Sequence, residues 1–235
     1  MRIIRMLCCA LCCLLFASSA QATFSIVAYD PDTKSWGVAV QSKFFGVGSV
    51  VPWAKAGVGA VATQSFANTR YGPDGLAMMA DGGAASNVVA ELTEADPMRS
   101  RRQLGVVDAK GDAAAYTGTR CMDWAGQLVG TNYCVQGNIL ASGLVVTNMA
   151  TAFEKARASG KGELADWLVA ALVAGQEAGG DVRGKQSAAL LVVKKDGGYA
   201  GLNDRFVDVR VEDHETPIKE LERLLKVHKT FYPRR

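Results

Sequence analysis

Thr23 is the residue whose place in the sequence best suits it to covalent chemistry. It follows Ala20-Gln21-Ala22, which has the form of an A-x-A signal-peptidase site, and cleavage after Ala22 would give it a free α-amine. Such an amine has an ordinary pKa of about 7.7–8.0, so near neutral pH one residue would carry both a hydroxyl nucleophile and its base. That chemistry needs no histidine, and the chain has only two, His214 and His228. No H-E-x-x-H and no cysteine cluster accompany them, so neither a metal nor a cofactor is expected, and a His-based Ser or Cys triad is poorly supported. Residues 179–185 have the outline of a phosphate loop. However, Gln186 stands where Ser or Thr should meet the metal, and the stretch joins helix to strand in the wrong order. Gly46, Gly48, Gly57 and Gly59 do not complete a G-x-G-x-x-G.

Whether Thr23 can act this way depends on the leader. Arg2 and Arg5 precede an unbroken apolar run at 6–16, too short to span a bilayer, so residues 1–22 read as a signal peptide and the product as periplasmic or secreted, without a stable membrane anchor. Ser18-Ser19-Ala20 is a second acceptable site; cleavage there would leave Gln21-Ala22 ahead of Thr23 and block its amine. Cys8, Cys9, Cys12 and Cys13 leave with the signal. Cys121 and Cys134 remain, and in an oxidising compartment they are expected to form a disulfide, worth about 3 kcal/mol in the chain-entropy model, with two buried thiols as the alternative. The 235 residues carry 26 Lys+Arg against 23 Asp+Glu, and loss of Arg2 and Arg5 leaves the mature chain nearly neutral. No broad basic face results, which argues against nucleic acid as the main partner.

The elements that must position these residues come from periodicity. Residues 23–28 and 36–41 read as a hairpin around Asp30-Pro31-Asp32-Thr33, and two further β-like stretches, 48–51 and 57–63, flank Pro52-Trp53-Ala54-Lys55. Helices are expected over 73–80 and 84–93, then a second hairpin of 103–108 with 113–117. An antiparallel helix pair follows at 142–159 and 163–178, with strands at 187–194 and 206–211 and a last helix from Thr216 or Pro217 to Val227. Hairpins in place of βαβ alternation, with no linker or repeat, predict an α+β fold on antiparallel sheets in one domain, 23–235.

Several segments together resemble the family known as domain of unknown function 1028, over nearly all of residues 23–227. They are Thr23-Phe-Ser-Ile-Val-Ala, Gly37-Val-Ala-Val-Gln-Ser-Lys-Phe-Phe, Val50-Val-Pro-Trp-Ala, Ala60-Val-Ala-Thr-Gln, Tyr71-Gly72, Val135-Gln-Gly-Asn-Ile-Leu and Gln186-Ser-Ala-Ala-Leu-Leu-Val. That resemblance implies the N-terminal nucleophile (Ntn) hydrolases and their four-layer αββα sandwich. It further implies an exported amidohydrolase that opens a small amide or peptide-like bond through Thr23. By the same likeness Lys43 would lie beside the nucleophile and lower its pKa, and Asn138, then Gln136, would supply oxyanion donors. Ser42, Gln64, Gln186 and Ser187 would line the substrate pocket. Ser42 alternates with Lys43, so only one of them can face Thr23 if the strand stays regular. The rival expectation is a non-catalytic envelope protein that uses the same scaffold to bind a cell-wall or surface-appendage partner; such a sandwich is also compatible with a homo-oligomer, which the sequence does not reveal.

Overall fold

The computed structural model describes residues 23–232; the expected leader and its cleavage site lie outside them. The chain is mixed α/β, with two antiparallel sheets and five α-helices among the described residues. Its first strand, β1 (Thr23–Asp30), is buried at every position and lies inside a six-stranded sheet. Its neighbours are β2 (Ser35–Ser42), reached by the expected hairpin, and β8 (Tyr133–Asn138), which arrives from more than a hundred residues away. Beyond β8 lies β7 (Gly126–Gly130); beyond β2 lie β9 (Ser187–Lys194) and β10 (Arg205–Val211). The second sheet has four strands, β3 (Pro52–Lys55), β4 (Gly59–Ser65), β5 (Arg102–Asp108) and β6 (Ala113–Thr117), paired in that order.

Strand alternation sorts the side chains into three cores. Phe24, Ile26, Val135 and Leu190 face outward from the large sheet onto α3 (Leu144–Ala158), α4 (Leu164–Glu177) and α5 (Pro217–Phe231), meeting Phe153, Leu168, Leu172 and Leu221. Each such buried side chain contributes about 1.5–3 kcal/mol. Gly37 brings α4 down onto β2, since a Cβ there would lie 2.6 Å from Leu168 Cδ1. On the opposite face Val27, Val38, Val40 and Leu191 meet Ala60, Ala62 and Val107 of the small sheet. The outer face of that sheet packs Val61, Leu104 and Val106 against Tyr71, Met79 and Val88 of α1 (Tyr71–Ala80) and α2 (Ala85–Glu94).

Three expectations are corrected. The stretch 48–51 is not a strand. Gly46 is left-handed at φ 65°, a 3-10 turn occupies Val47–Ser49, and the Ser187 hydroxyl accepts from Val47 N–H and donates to Phe44 O. The supposed spacer Pro52-Trp53-Ala54-Lys55 is itself β3, an edge strand where proline's missing N–H costs no ladder bond. The Cys121–Cys134 bridge is not formed, and both thiols are free and buried. Cys134 Sγ donates to Val106 O at 3.8 Å and Cys121 Sγ to Arg102 O at 3.3 Å. Those carbonyls lie four residues apart on β5, a separation of about 13 Å, so the thiols are held out of bonding reach.

Candidate functional site

Because Phe24, Ile26 and Ala28 face the helices, Thr23 and Ser25 point between the sheets. Thr23 stands opposite Ser42 on β2 and Asn138 on β8, and its Oγ1 lies 3.0 Å from Ser42 Oγ. The small sheet contributes Gln64 from β4 and, directly across from it, Gln103 from β5. Thr23, Ser25, Ser42, Gln64, Gln103, Gln136 and Asn138 are all at most 2% exposed.

Such burial is stable only if the polar groups serve one another. Ser25 Oγ donates to Gln64 Oε1 at 2.6 Å and accepts from Gln136 Nε2 at 2.7 Å. Gln64 Nε2 donates to Gln103 Oε1 at 2.8 Å and approaches Thr23 O at 3.3 Å. Gln103 is the hub: its Oε1 also accepts from Asn138 Nδ2 at 3.0 Å, while its Nε2 donates to Gly137 O at 2.8 Å and Thr117 Oγ1 at 2.9 Å. Gly105 leaves the room that Gln136 needs, since a Cβ there would sit 2.4 Å from Gln136 Oε1. Gln136 Oε1 and Asn138 Oδ1 have no hydrogen-bond partner. Every side chain in this network is an uncharged hydroxyl or carboxamide. It therefore offers a nucleophilic oxygen, amide N–H donors and two unfilled acceptors, without a fixed charge.

Of the expected residues, Thr23, Ser42, Gln64, Gln136 and Asn138 come together. Gln136 sits over Ser25, one step further along the face than Asn138. Lys43 does not join them. Parity gives the inner position to Ser42, and Lys43 lies just past the strand, exposed, its Nζ donating to Lys185 O at 3.4 Å. Gln186 shares that outer cleft of about 420 Å³ with Lys43, Asp213 and His214, and donates to Asp213 Oδ1 at 3.1 Å. Ser187 is buried but spent on the 44–47 turn. Ser25 and Gln103 are the members that the sequence did not single out; the available signal was a hydroxyl and a carboxamide on the same strand parity as Thr23 and Val107.

A separate polar cluster anchors the small sheet. Asp96 accepts from Arg102 Nε at 2.8 Å, Tyr71 Oη at 2.9 Å, Met98 N–H at 2.7 Å and Asn68 Nδ2 at 3.2 Å. Burial alone would raise its pKa, but these donors outweigh it and hold the carboxyl at about 2. Among the described residues no group of three or more His, Cys, Asp or Glu could hold a metal, and no helix is long and apolar enough to cross a membrane.

Comparison with known proteins gives two findings. A family model described as "Family of unknown function (DUF1028)" matches residues 23–221. A crystal structure of protein SPO2555 from Silicibacter pomeroyi, described with the same family model, superposes with a TM-score of 0.79 at 31% identity, covering 88% of this chain and 86% of that one. A search of curated proteins gives no match.

Proposed function

The chain belongs to the DUF1028 family, and from that membership we propose that it is an exported Ntn-type amidohydrolase acting on a small amide or peptide-like bond. The observation that carries this reading is Thr23 itself. It heads an interior strand, its Oγ1 faces the gap between two sheets 3.0 Å from another hydroxyl, and carboxamides surround it. Three cores stacked as helices, sheet, sheet, helices support the four-layer Ntn arrangement. Cleavage after Ala22 bares the Thr23 amine. That amine takes the proton of Oγ1 as the oxygen attacks the substrate carbonyl, and an N–H of Asn138, with Gln136 behind it, stabilises the developing oxyanion. The amine then passes its proton to the leaving nitrogen as the C–N bond breaks, and water hydrolyses the Thr23 ester. Ser42, rather than Lys43, is the group that orients the nucleophile.

The burial of Thr23 and Ser42, at 2% and 0% exposure, favours a second reading: the network is a structural polar core in a non-catalytic envelope binding protein. One experiment separates the two. The exported protein is sequenced from its N-terminus and treated with hydroxyl-directed electrophiles such as β-lactones. The enzyme reading expects a start at Thr23, labelling of Thr23, and loss of labelling in Thr23→Ala with Thr23→Ser retaining it. A start at Gln21, or no labelling of a chain that does start at Thr23, rejects the enzyme in favour of the binding protein.

A further inference from the structure

The two sheets differ by two strands, and the mismatch leaves a cleft at one side of the sandwich. At the β6–β7 side the gap is bridged by Gln127, which donates to Ala115 O at 3.0 Å and accepts from Thr117 Oγ1. At the other side β3 packs on β9, one strand in from the edge, so β10 overhangs the small sheet. The space beneath this overhang is a cleft of about 660 Å³, within the range of about 300–1,000 Å³ usual for small-molecule sites.

Its lining has two characters. Leu191 and Val193 of β9, with Pro52 and Ala54 of β3 across from them, make an apolar floor, and Trp53 and Leu76 border it from the helix side of the small sheet. Lys55, Arg205 and Arg210 stand at its walls against Asp204 and Asp208, which leaves one net positive charge. Arg205 pairs with Asp208 at 3.0 Å rather than with its neighbour Asp204, and Arg210 Nε meets the other Asp208 oxygen at 3.0 Å. The stem of Arg210 lies against Gly48, where a Cβ would come within 3.0 Å of Arg210 Cδ. The guanidinium is thus held in place from two directions. Asp208 takes Nε and, at 3.5 Å, Nη2, so N–H donors remain for a second acceptor. None of the seven network residues around Thr23 lines this cleft.

We infer that the cleft is a second ligand site, which takes a small amphipathic anion: a carboxylate borne on an aromatic or branched aliphatic body. The body covers Leu191, Val193 and Ala54 and reaches the border at Trp53, and the carboxylate meets the Arg210 fork with Arg205 and Lys55 beside it. This pairing needs both halves of the ligand, because an exposed ion pair alone contributes little and the apolar floor alone has no preference for charge.

The test uses 4-phenylbutyrate and its uncharged match 4-phenylbutyramide, titrated into the purified chain and followed by calorimetry and by the Trp53 indole N–H resonance. Saturable binding of the carboxylate is expected, at least tenfold weaker for the amide, with Trp53 shifting along the titration. Arg210→Gln should weaken binding at least tenfold and exposed Arg101→Gln leave it unchanged. Should Arg210→Gln fail to fold, the double variant of exposed Lys55→Gln and Arg205→Gln reads the same loss. No saturation by the carboxylate, equal binding of the amide, indifference to both cleft variants, or a cleft closed by a second copy of the chain in sedimentation would each overturn the assignment.

Discussion

Gln103 joins the two sheets through a single side chain, accepting from Gln64 and Asn138 and donating to Gly137 O. Its replacement by leucine leaves two buried N–H groups without their acceptor, each costing about 1–3 kcal/mol. Gln103→Leu is therefore expected to lower unfolding stability by about 3 kcal/mol in urea titration, whereas Gln127→Leu at the exposed side should cost about 1 kcal/mol or less. Much of this cluster was legible in the sequence: the cleavage site points to Thr23, and the family resemblance adds Ser42, Gln64, Gln136 and Asn138. Parity also requires that Ser42 and Lys43 face opposite ways. Which of the two shares a face with Thr23 was not legible, because it depends on the register of the β1–β2 hairpin, which pairs Thr23 with Ser42. Ser25 and Gln103 escape a reading by residue type, because a polar residue alternating with apolar ones reads as solvent-facing until a second sheet is laid over it.

At the scale of elements, Asp96 ties the start of α1 through Tyr71, the end of α2 and the first residue of β5, Arg102. Removal of one partner from such a pair costs about 3 kcal/mol, the loss expected for Asp96→Ala. Its carboxyl is held at about 2 in the folded chain against about 3.9 when unfolded, so its contribution is complete above about pH 4 and disappears as pH falls towards 2. Urea midpoints between pH 5 and pH 2 should fall less steeply in Asp96→Asn than in the parent. A second element-level contact is Gly72 of α1 against the Trp53 ring of β3, where a Cβ would lie 2.2 Å from the indole. The ring cannot yield as a flexible chain could, and Gly72→Ala is expected to cost about 2 kcal/mol and to shift tryptophan fluorescence. Periodicity predicts elements well where both faces are buried and apolar, as at 187–194, which matches β9 residue for residue. It fails at β3, whose proline and lysine are edge-strand features that resemble a loop.

For the whole molecule, the two free thiols imply a fold stabilised without a covalent crosslink among its described residues. Burial pushes the Cys134 thiol up to about 12, only slightly offset by its contact with Val106 O, so at pH 8 it is un-ionised and enclosed. Dithiothreitol is expected to leave the melting temperature unchanged within about 1 °C, and iodoacetamide to reach Cys134 only on unfolding. A bridge would instead appear as a clear drop in melting temperature on reduction. The placing of β1 between β2 and β8 also governs the order of assembly. Ser25 and Gln136 meet across a sequence separation of 111, and Ser42 is flanked by Ser187 only once β9 has arrived. A loop of that length closes slowly, and chains dominated by such distant pairings fold on slow timescales. During synthesis β1 and β2 can pair early, but the surroundings of Thr23 are completed only after most of the chain has emerged, so its hydroxyl gains its neighbours among the last events of folding.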